Sequence, residues 1–138
     1  EIFLEQKIIR SSGRLILIPK EENVDRDIVT TPTHIIKDIL RKTVVDYCIG
    51  RNDKEILSSK FADIACGSGA FLLELFQILQ DILIDYYIVN DQSQLQPISH
   101  NSFKLKYAVK QELLVSCIYG VDKDFNAKRV AEFGLLLK

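Results

Sequence analysis

The sequence predicts an α/β fold in which short parallel strands are covered by helices. Two short apolar runs, at 60–66 and 117–122, have the length of buried strands, and a helical pattern follows each of them directly. A strand, a crossover and a second strand of the same direction form a right-handed unit with helices on the sheet. We therefore expect the first strands of a mostly parallel sheet with flanking helices.

The composition is that of one ordinary globular domain. The chain has 138 residues and a net charge of -1. A nucleic-acid surface usually shows a basic patch, so this balance argues against a segment that grips DNA by itself. No apolar run is long enough to span a membrane. The cysteines are far apart and form no CxxC or Cys/His pair, so we expect no metal site and no disulfides, only buried, reduced thiols at Cys48, Cys66 and Cys117.

The first 28 residues are expected to be a lead-in to this domain. Residues 6–18 form two apolar runs around Ser-Ser-Gly, which is typical of a small hairpin or of an irregular extended segment. Residues 19–27 are a polar connector, and 29–138 are the N-terminal part of the α/β domain. The chain contains no Met and begins without a basic segment, so we interpret it as a piece of a longer polypeptide without a signal peptide.

Helical spacing and capping residues predict the helices. Thr31 is the expected N-cap of the first helix, Pro32 suits its first turn and Gly50 ends it. Asp124 is the expected N-cap of the last helix, which runs to 138. The remaining segments are predicted as a surface connector at 51–59, an apolar helix at 70–88, a polar loop at 89–102 and a helix at 103–116.

A glycine turn between the first strand and the apolar helix is the first candidate site. Such a turn lets a ligand approach the backbone, and the N–H groups at the helix start favour anionic groups. A dinucleotide site would follow the pattern GxGxxG/A. Gly67, Ser68 and Gly69 match its start, but Leu72 stands where the third small residue belongs. The turn therefore indicates either a ligand other than NAD or FAD, or a tight structural turn.

An acidic residue after the second strand would complete a nucleoside site. Asp122 lies at the carboxyl end of that strand, where a carboxylate can accept hydrogen bonds from both ribose hydroxyls. Asp91 is the alternative, because it follows Gly69 by about the spacing seen in nicotinamide enzymes. A polar stretch rather than a helix follows Asp91, so Asp122 is the favoured candidate.

Three segments resemble the amino-methylating DNA methyltransferases of the adenine branch. "ADIACGSGAFLLELF" is similar to their first S-adenosylmethionine motif, "YGVDKDFNAKRVAEFGLLL" to the ribose-binding strand and helix, and "TTPTHIIKDIL" to the motif that precedes both. They occur in that family's order, at 29–40, 60–76 and 117–138. The resemblance implies a Rossmann-like methyltransferase fold, of which this chain is part, and a restriction–modification methylase of type I or of the fused type II group.

The resemblance also implies roles for single residues. Thr31 and Pro32 would lie against the methionine end of S-adenosylmethionine, Asp122 would bind its ribose, and Lys123 would lie beside the adenine. Asp63 and the backbone of the turn would hold the amino and carboxylate groups. The full cofactor-binding set is Thr31, Pro32, Asp63, Ala65, Cys66, Gly67, Ser68, Gly69, Phe71, Asp122 and Lys123.

The sequence departs from the family pattern at three places. Ile64 replaces a proline and Thr30 replaces a tyrosine. The third departure is larger, because the family's catalytic Asn/Asp-Pro-Pro-Tyr/Phe tetrapeptide is absent: the three prolines, Pro19, Pro32 and Pro97, are isolated. The resemblance thus implies no catalytic residue in this chain, which would be inactive alone, while the cytoplasmic parent would act on DNA together with other domains or subunits.

Three other functions compete with this interpretation. The first is the cofactor-binding part of a methyltransferase for small molecules or proteins, against which the Thr-Pro upstream of the glycine turn speaks. The second is a Rossmann-like module without enzymatic activity, kept for subunit contacts. A nicotinamide enzyme is the weakest alternative, because Leu72 departs from the dinucleotide pattern.

Overall fold

The computed structural model describes residues 6–19, 31–100 and 102–138. The helices are α1 (Thr33–Leu40, continued by a π-helical segment, Arg41–Val45, and a last turn, Asp46–Cys48), α2 (Asp53–Ser58), α3 (Ala70–Asn90), α4 (Tyr107–Cys117) and α5 (Phe125–Leu136). The strands are β1 (Gln6–Ser11), β2 (Arg14–Pro19), β3 (Phe61–Asp63), β4 (Leu95–Ser99), β5 (Ser102–Leu105) and β6 (Ile118–Gly120), and a 3-10 turn spans Gln92–Gln94.

The predicted parallel pair is present and consists of β3 and β6. Phe61 lies opposite Ile118, and Asp63 lies opposite Gly120. Each strand has only three residues, fewer than the apolar runs that predict them, because the chain turns towards the glycine segment after Asp63 and towards α5 after Gly120. The described residues thus combine helices with three two-stranded sheets, of which β3 and β6 form the parallel one.

Residues 6–18 form a hairpin rather than an irregular segment. Strands β1 and β2 are antiparallel, and Ser11 pairs with Arg14 across a two-residue turn. Both turn residues, Ser12 and Gly13, have positive φ, as the tight hairpin turn of a twisted ribbon requires. The rest of the predicted lead-in lies outside the described residues, which leave out 1–5 and 20–30. The second range contains most of the polar connector and Thr30.

Helix α1 begins one residue later than predicted, so the assignment of Thr31 as N-cap is wrong. Pro32 is the N-cap residue, with extended ψ, and its carbonyl accepts hydrogen bonds from the N–H groups of Ile35 and Ile36. Further along, the helix widens to π geometry. The Thr43 hydroxyl donates a hydrogen bond to the Ile39 carbonyl at 2.8 Å, a side-chain interaction that is known to distort helices.

The predicted connector at 51–59 contains a short helix, α2. The Asn52 side chain accepts a hydrogen bond from the Glu55 N–H, and the Glu55 carboxylate accepts one from the Asn52 N–H. This is a capping box with asparagine as the N-cap residue. Helix α2 is joined to α3 by a hydrogen bond of 3.1 Å from the Tyr87 hydroxyl to the Asp53 carboxylate, and burial raises the pKa of Tyr87 far above its usual value.

The prediction of a polar loop at 89–102 is also wrong, because most of this segment forms a 3-10 turn and part of a hairpin. Strands β4 and β5 are antiparallel, and the buried side chains of Leu95 and Leu105 lie opposite each other. The register shifts between Pro97 and Ser99, which lets the ladder accommodate a proline. The helix predicted at 103–116 accordingly begins only at Tyr107.

The core lies between α3 and the elements that surround it. Leu79 and Leu83 are fully buried at the centre of α3, and Phe76 is almost so. On α5, Ala127 and Ala131 are buried, whereas Leu137, directly after the helix, is 71% exposed. All three cysteines are buried and unpaired. None of the helices in the described part of the chain could cross a membrane.

Candidate functional site

The glycine turn connects β3 to α3, and two of its residues have the left-handed backbone that favours glycine. Gly67 has φ +52° and Gly69, the N-cap of α3, has φ +87°. A Cβ atom at Gly69 would lie 2.6 Å from the Cβ of Ala131 on α5. The turn therefore needs glycine at 69 for two reasons, its backbone conformation and the close approach of α5.

The turn and the end of β6 are brought together by main-chain hydrogen bonds. The N–H of Val121 donates to the carbonyl of Asp63 at 2.8 Å, and the N–H of Cys66 donates to the carbonyl of Val121 at 3.0 Å. The N–H of Gly69 donates to the Cys66 carbonyl at 2.8 Å and closes the turn. The two segments that were predicted to form one site are thus adjacent.

Asp122 connects this turn to the start of α5 through its carboxylate. Its Oδ2 accepts a hydrogen bond from the Gly67 N–H at 2.8 Å, and its Oδ1 accepts one from the Asp124 N–H at 2.7 Å. Asp124 in turn accepts hydrogen bonds from Asn126 and Ala127, so it is the N-cap of α5, as predicted. Each oxygen of an ionised carboxylate can accept two hydrogen bonds, which leaves acceptor capacity on both atoms of Asp122.

Asp63 makes a similar local contact at the end of β3. Its Oδ1 accepts a hydrogen bond from the Ala65 N–H at 3.0 Å. Ala65 is exposed, whereas Asp63, Gly67 and Ser68 are half-buried. A second partly exposed carboxylate thus lies within a few residues of the turn, where it can attract a cationic group.

The floor of the site is made by residues of β6 and α3. Gly120 is not among the site residues that the sequence predicts, yet a Cβ atom there would lie 2.6 Å from Cδ1 of Leu72 and 3.1 Å from Sγ of Cys66. The small residue that close helix–strand packing needs therefore lies on the strand, opposite Leu72, and not on the helix. The sequence offers one signal for this role, a glycine directly before the Val-Asp that ends the second apolar run.

Cys66 fills the space beneath the turn. It is 6% exposed. Burial raises the pKa of its thiol, and the nearby carboxylates of Asp122 and Asp63 raise it further. The thiol is therefore a neutral packing group and not a nucleophile.

The other predicted residues lie around this centre rather than in it. Phe71 is half-buried and lines a groove beside β3, together with Asp63. Lys123 is exposed between Asp122 and Asp124. Thr31 is half-buried and Pro32 is exposed, and the hydrogen bonds found in the described part of the chain do not join either of them to the turn.

Asp91, the alternative ribose ligand, lies at the wrong end of α3. The helix has 21 residues, so its two ends are about 30 Å apart. Asp91 accepts a hydrogen bond from the Ser93 N–H at 3.1 Å and caps the 3-10 turn, and hydrogen bonds from Ser93 and Gln94 lower its pKa. His34 and His100 are exposed.

The chain is similar over its whole length to one part of a much larger protein. That protein is described as type II restriction enzyme and methyltransferase RM.Eco57I from Escherichia coli, with 63% identity over 139 aligned positions. The alignment covers all of this chain and 14% of the relative. No family model matches the chain, and no solved structure matches it. At this identity the chain corresponds to one segment of that restriction enzyme and methyltransferase.

Proposed function

We propose that the chain is the S-adenosylmethionine-binding portion of a DNA adenine-N6 methyltransferase, within a Rossmann-like domain of a cytoplasmic restriction–modification enzyme. The observation that supports this most directly is the 2.8 Å hydrogen bond between the Gly67 N–H and the Asp122 carboxylate. It brings an anion-binding turn and a ribose-type acceptor to the carboxyl ends of two parallel strands, where α/β proteins bind nucleotides.

The donors and acceptors of this site fit the polar groups of S-adenosylmethionine. Asp122 retains acceptor capacity for two ribose hydroxyls, and Asp63 offers a carboxylate to the amino group of the methionine end. The backbone of 65–69 offers N–H groups near the start of α3 to the carboxylate. Thr31, Pro32, Phe71 and Lys123 complete the proposed contacts. The cofactor supplies a methyl group on a sulfonium, and this chain supplies its position.

The acceptor in the parent enzyme is proposed to be an adenine flipped out of DNA. The relative is described as a restriction enzyme and methyltransferase, which favours DNA over a small molecule or a protein. Holding donor and acceptor in line accounts for most of such a transfer. The loop that would hold the adenine amino group is absent from the sequence, since no two prolines are adjacent. We therefore expect the purified chain to incorporate no methyl group into DNA.

Calorimetric titration with S-adenosylhomocysteine tests the proposed cofactor site. Asp122→Asn should weaken binding at least about tenfold, because a neutral amide accepts at one atom only and loses a charge-assisted bond. Asp91→Asn is the matched control, since Asp91 also accepts backbone and side-chain hydrogen bonds but lies at the far end of α3. Equal affinities for wild type and Asp122→Asn would contradict the site.

Two further titrations separate the alternatives. Heat released with NAD and not with S-adenosylhomocysteine would support the nicotinamide enzyme. Binding of neither ligand would favour the module without enzymatic activity. Methyl incorporation into adenine by the purified chain would show that the missing tetrapeptide is dispensable, against our proposal.

A further inference from the structure

An ion pair joins α1 to α3 near the start of both helices. The Lys37 Nζ lies 3.5 Å from Oε1 of Glu74, and each of the two residues is the fifth of its helix. The Glu74 side chain is only 24% exposed. Its carboxylate is thus partly withdrawn from water, where an opposite charge interacts more strongly than at an open surface. The pair therefore connects the second turn of α1 to the second turn of α3.

Apolar side chains pack α1 against the core beneath this pair. Ile36 is 2% exposed and Leu40 is 6% exposed, and Leu40 lines the groove beside β3 together with Leu75 of α3. Apolar burial is favourable in proportion to its area and has no directional preference. A pair of opposite charges does have one, because it requires one turn of α1 to lie beside one turn of α3. The ion pair therefore fixes the position of α1 along α3.

Helix α1 starts at the end of β3 that carries the glycine turn. In its last turn, Tyr47 contacts Phe61, the first residue of β3, edge to face at 5.8 Å, and the Tyr47 hydroxyl is hydrogen-bonded to the Ser59 hydroxyl at 3.1 Å. Strand β3 runs from Phe61 towards the glycine turn, and α3 begins directly after that turn. The last turn of α1 is therefore near the start of β3, whereas the Lys37–Glu74 pair is near its end. The start of α1 thus lies on the side of the turn.

Thr31 and Pro32 directly precede α1 and depend on it for their position. The Pro32 carbonyl accepts hydrogen bonds from the N–H groups of Ile35 and Ile36 in the first turn of α1. In the described part of the chain, no hydrogen bond links Thr31 or Pro32 to the glycine turn. The contact that holds the start of α1 therefore also determines how far these two residues lie from the turn.

We propose that Lys37 and Glu74 are positioning residues for the cofactor. Their ion pair holds the start of α1 beside the start of α3, which places Thr31 and Pro32 where the methionine end of S-adenosylmethionine would lie. This role rests on the proposed function and deepens it by two residues that do not touch the cofactor themselves. Contacts that are already in place increase the apparent affinity, because less of the protein has to rearrange when the ligand binds.

Titration calorimetry of the polypeptide encoded by the complete reading frame tests this role. Glu74→Gln should weaken the binding of S-adenosylhomocysteine about two- to fivefold, which is the effect of one partly exposed ion pair. The affinity for 5′-methylthioadenosine, which has the same nucleoside but no amino acid end, should change less than about 1.5-fold. The double variant Lys37→Glu with Glu74→Lys should recover the wild-type affinity for S-adenosylhomocysteine within about 1.5-fold, because it restores the pair with its charges exchanged.

Glu132→Gln is the matched control for the titrations. Lys128 and Glu132 form an ion pair of similar length, 3.6 Å, but both residues lie on α5, so its loss should leave the affinity for both ligands unchanged. Amide hydrogen exchange supplies a second measurement that needs no cofactor. The Ile36 amide donates to the Pro32 carbonyl at 3.1 Å. It should exchange about two- to fivefold faster in Glu74→Gln than in the wild type, because the first turn of α1 would open more often.

The outcomes separate the ion pair from the proposed function. If the wild type and Glu74→Gln bind S-adenosylhomocysteine equally, or if Glu74→Gln loses affinity for both ligands alike, the positioning role is overturned. Unchanged exchange at Ile36 would overturn it too. If the wild type binds neither ligand, the proposed function is contradicted, and faster exchange in Glu74→Gln would then indicate a contact that only stabilises the fold.

Discussion

The glycine turn and the groove lie next to the same strand, β3, and differ in how far this chain completes them. At the turn, the Asp63 carbonyl, the Gly67 N–H and the Asp122 carboxylate all have partners. Leu72, below the turn, is 3% exposed, whereas Ile64, at the groove, is 83% exposed. One side of β3 is thus closed by its own chain, and the other is open.

This difference indicates which parts of the proposed function these 138 residues can support. The contacts that shape the turn come from β3, α3, β6 and α5, all within the chain. The groove beside β3 has walls from α1, β3 and α3, but it leaves Ile64 exposed. Cofactor binding can therefore be tested on this chain. Four predictions test the two sides of β3 and the core beside them, in order of decreasing effect.

Substitution of Gly69 by alanine should have the largest effect. The new Cβ atom would meet Ala131 at 2.6 Å, and the left-handed backbone adds strain. We expect a loss of about 2–5 kcal/mol in the free energy of unfolding, measured by urea denaturation, from strain of about 1–2 kcal/mol and overpacking of about 1–3 kcal/mol.

Gly67→Ala is the matched control for this prediction. Gly67 also has positive φ, but a Cβ atom there has no neighbour within 4 Å. The control should therefore show the strain alone, about 1–2 kcal/mol. Equal losses for the two variants would mean that α5 does not pack closely on the turn.

Thiol reactivity should distinguish the closed side from the open side. Cys66 is buried beneath the turn and its pKa is raised, whereas a cysteine at the exposed Ala62 would face the groove. At pH 8.5 we expect iodoacetamide to modify Ala62→Cys at least about tenfold faster than any native thiol. Peptide mapping by mass spectrometry measures each site. Faster labelling of Cys66 than of the introduced thiol would reverse the comparison.

The buried thiol of Cys117 should make the free energy of unfolding depend on pH. Burial raises the pKa of Cys117 to about 11, from a usual value of 9.0. Because the folded state binds the proton more tightly, this stabilisation is complete below pH 9 and is lost as the pH rises from 9 to 11. We expect about 3 kcal/mol of it to be lost, at about 1.36 kcal/mol for each of two pKa units. Cys117→Ala should remove this part of the pH dependence in urea denaturation.

The sequence predicts the parallel pair and the glycine turn because their signals are local. Gly67 and Gly69 stand between a strand run and a long apolar helix, and Asp122 ends the second run. Such patterns need no knowledge of distant contacts. The proximity of Asp122 to the glycine turn is a tertiary contact, but it follows from the rule that parallel strands end at the same edge of a sheet.

The segments that the sequence mispredicts depend on weaker or longer-range signals. The β4–β5 hairpin is polar along most of its length, and its pairing is decided by Leu95 and Leu105, which meet only after the chain has folded back onto α3. Helix α2 did have a local signal in the Asn52–Glu55 capping box. For Gly120 the local signal was only its place before the Val-Asp that ends the strand run, and its role depends on Leu72, which reaches it from α3.

Substitution of Ile64 by serine should have the smallest effect on this chain. Because Ile64 is 83% exposed, we expect the free energy of unfolding to change by less than about 0.5 kcal/mol. Leu72→Ala is the contrast and should cost about 2–5 kcal/mol, because this side chain is buried and lies close to Gly120. If Leu72→Ala cost as little as Ile64→Ser, the exposed and the buried side chain would contribute equally and the asymmetry around β3 would be absent.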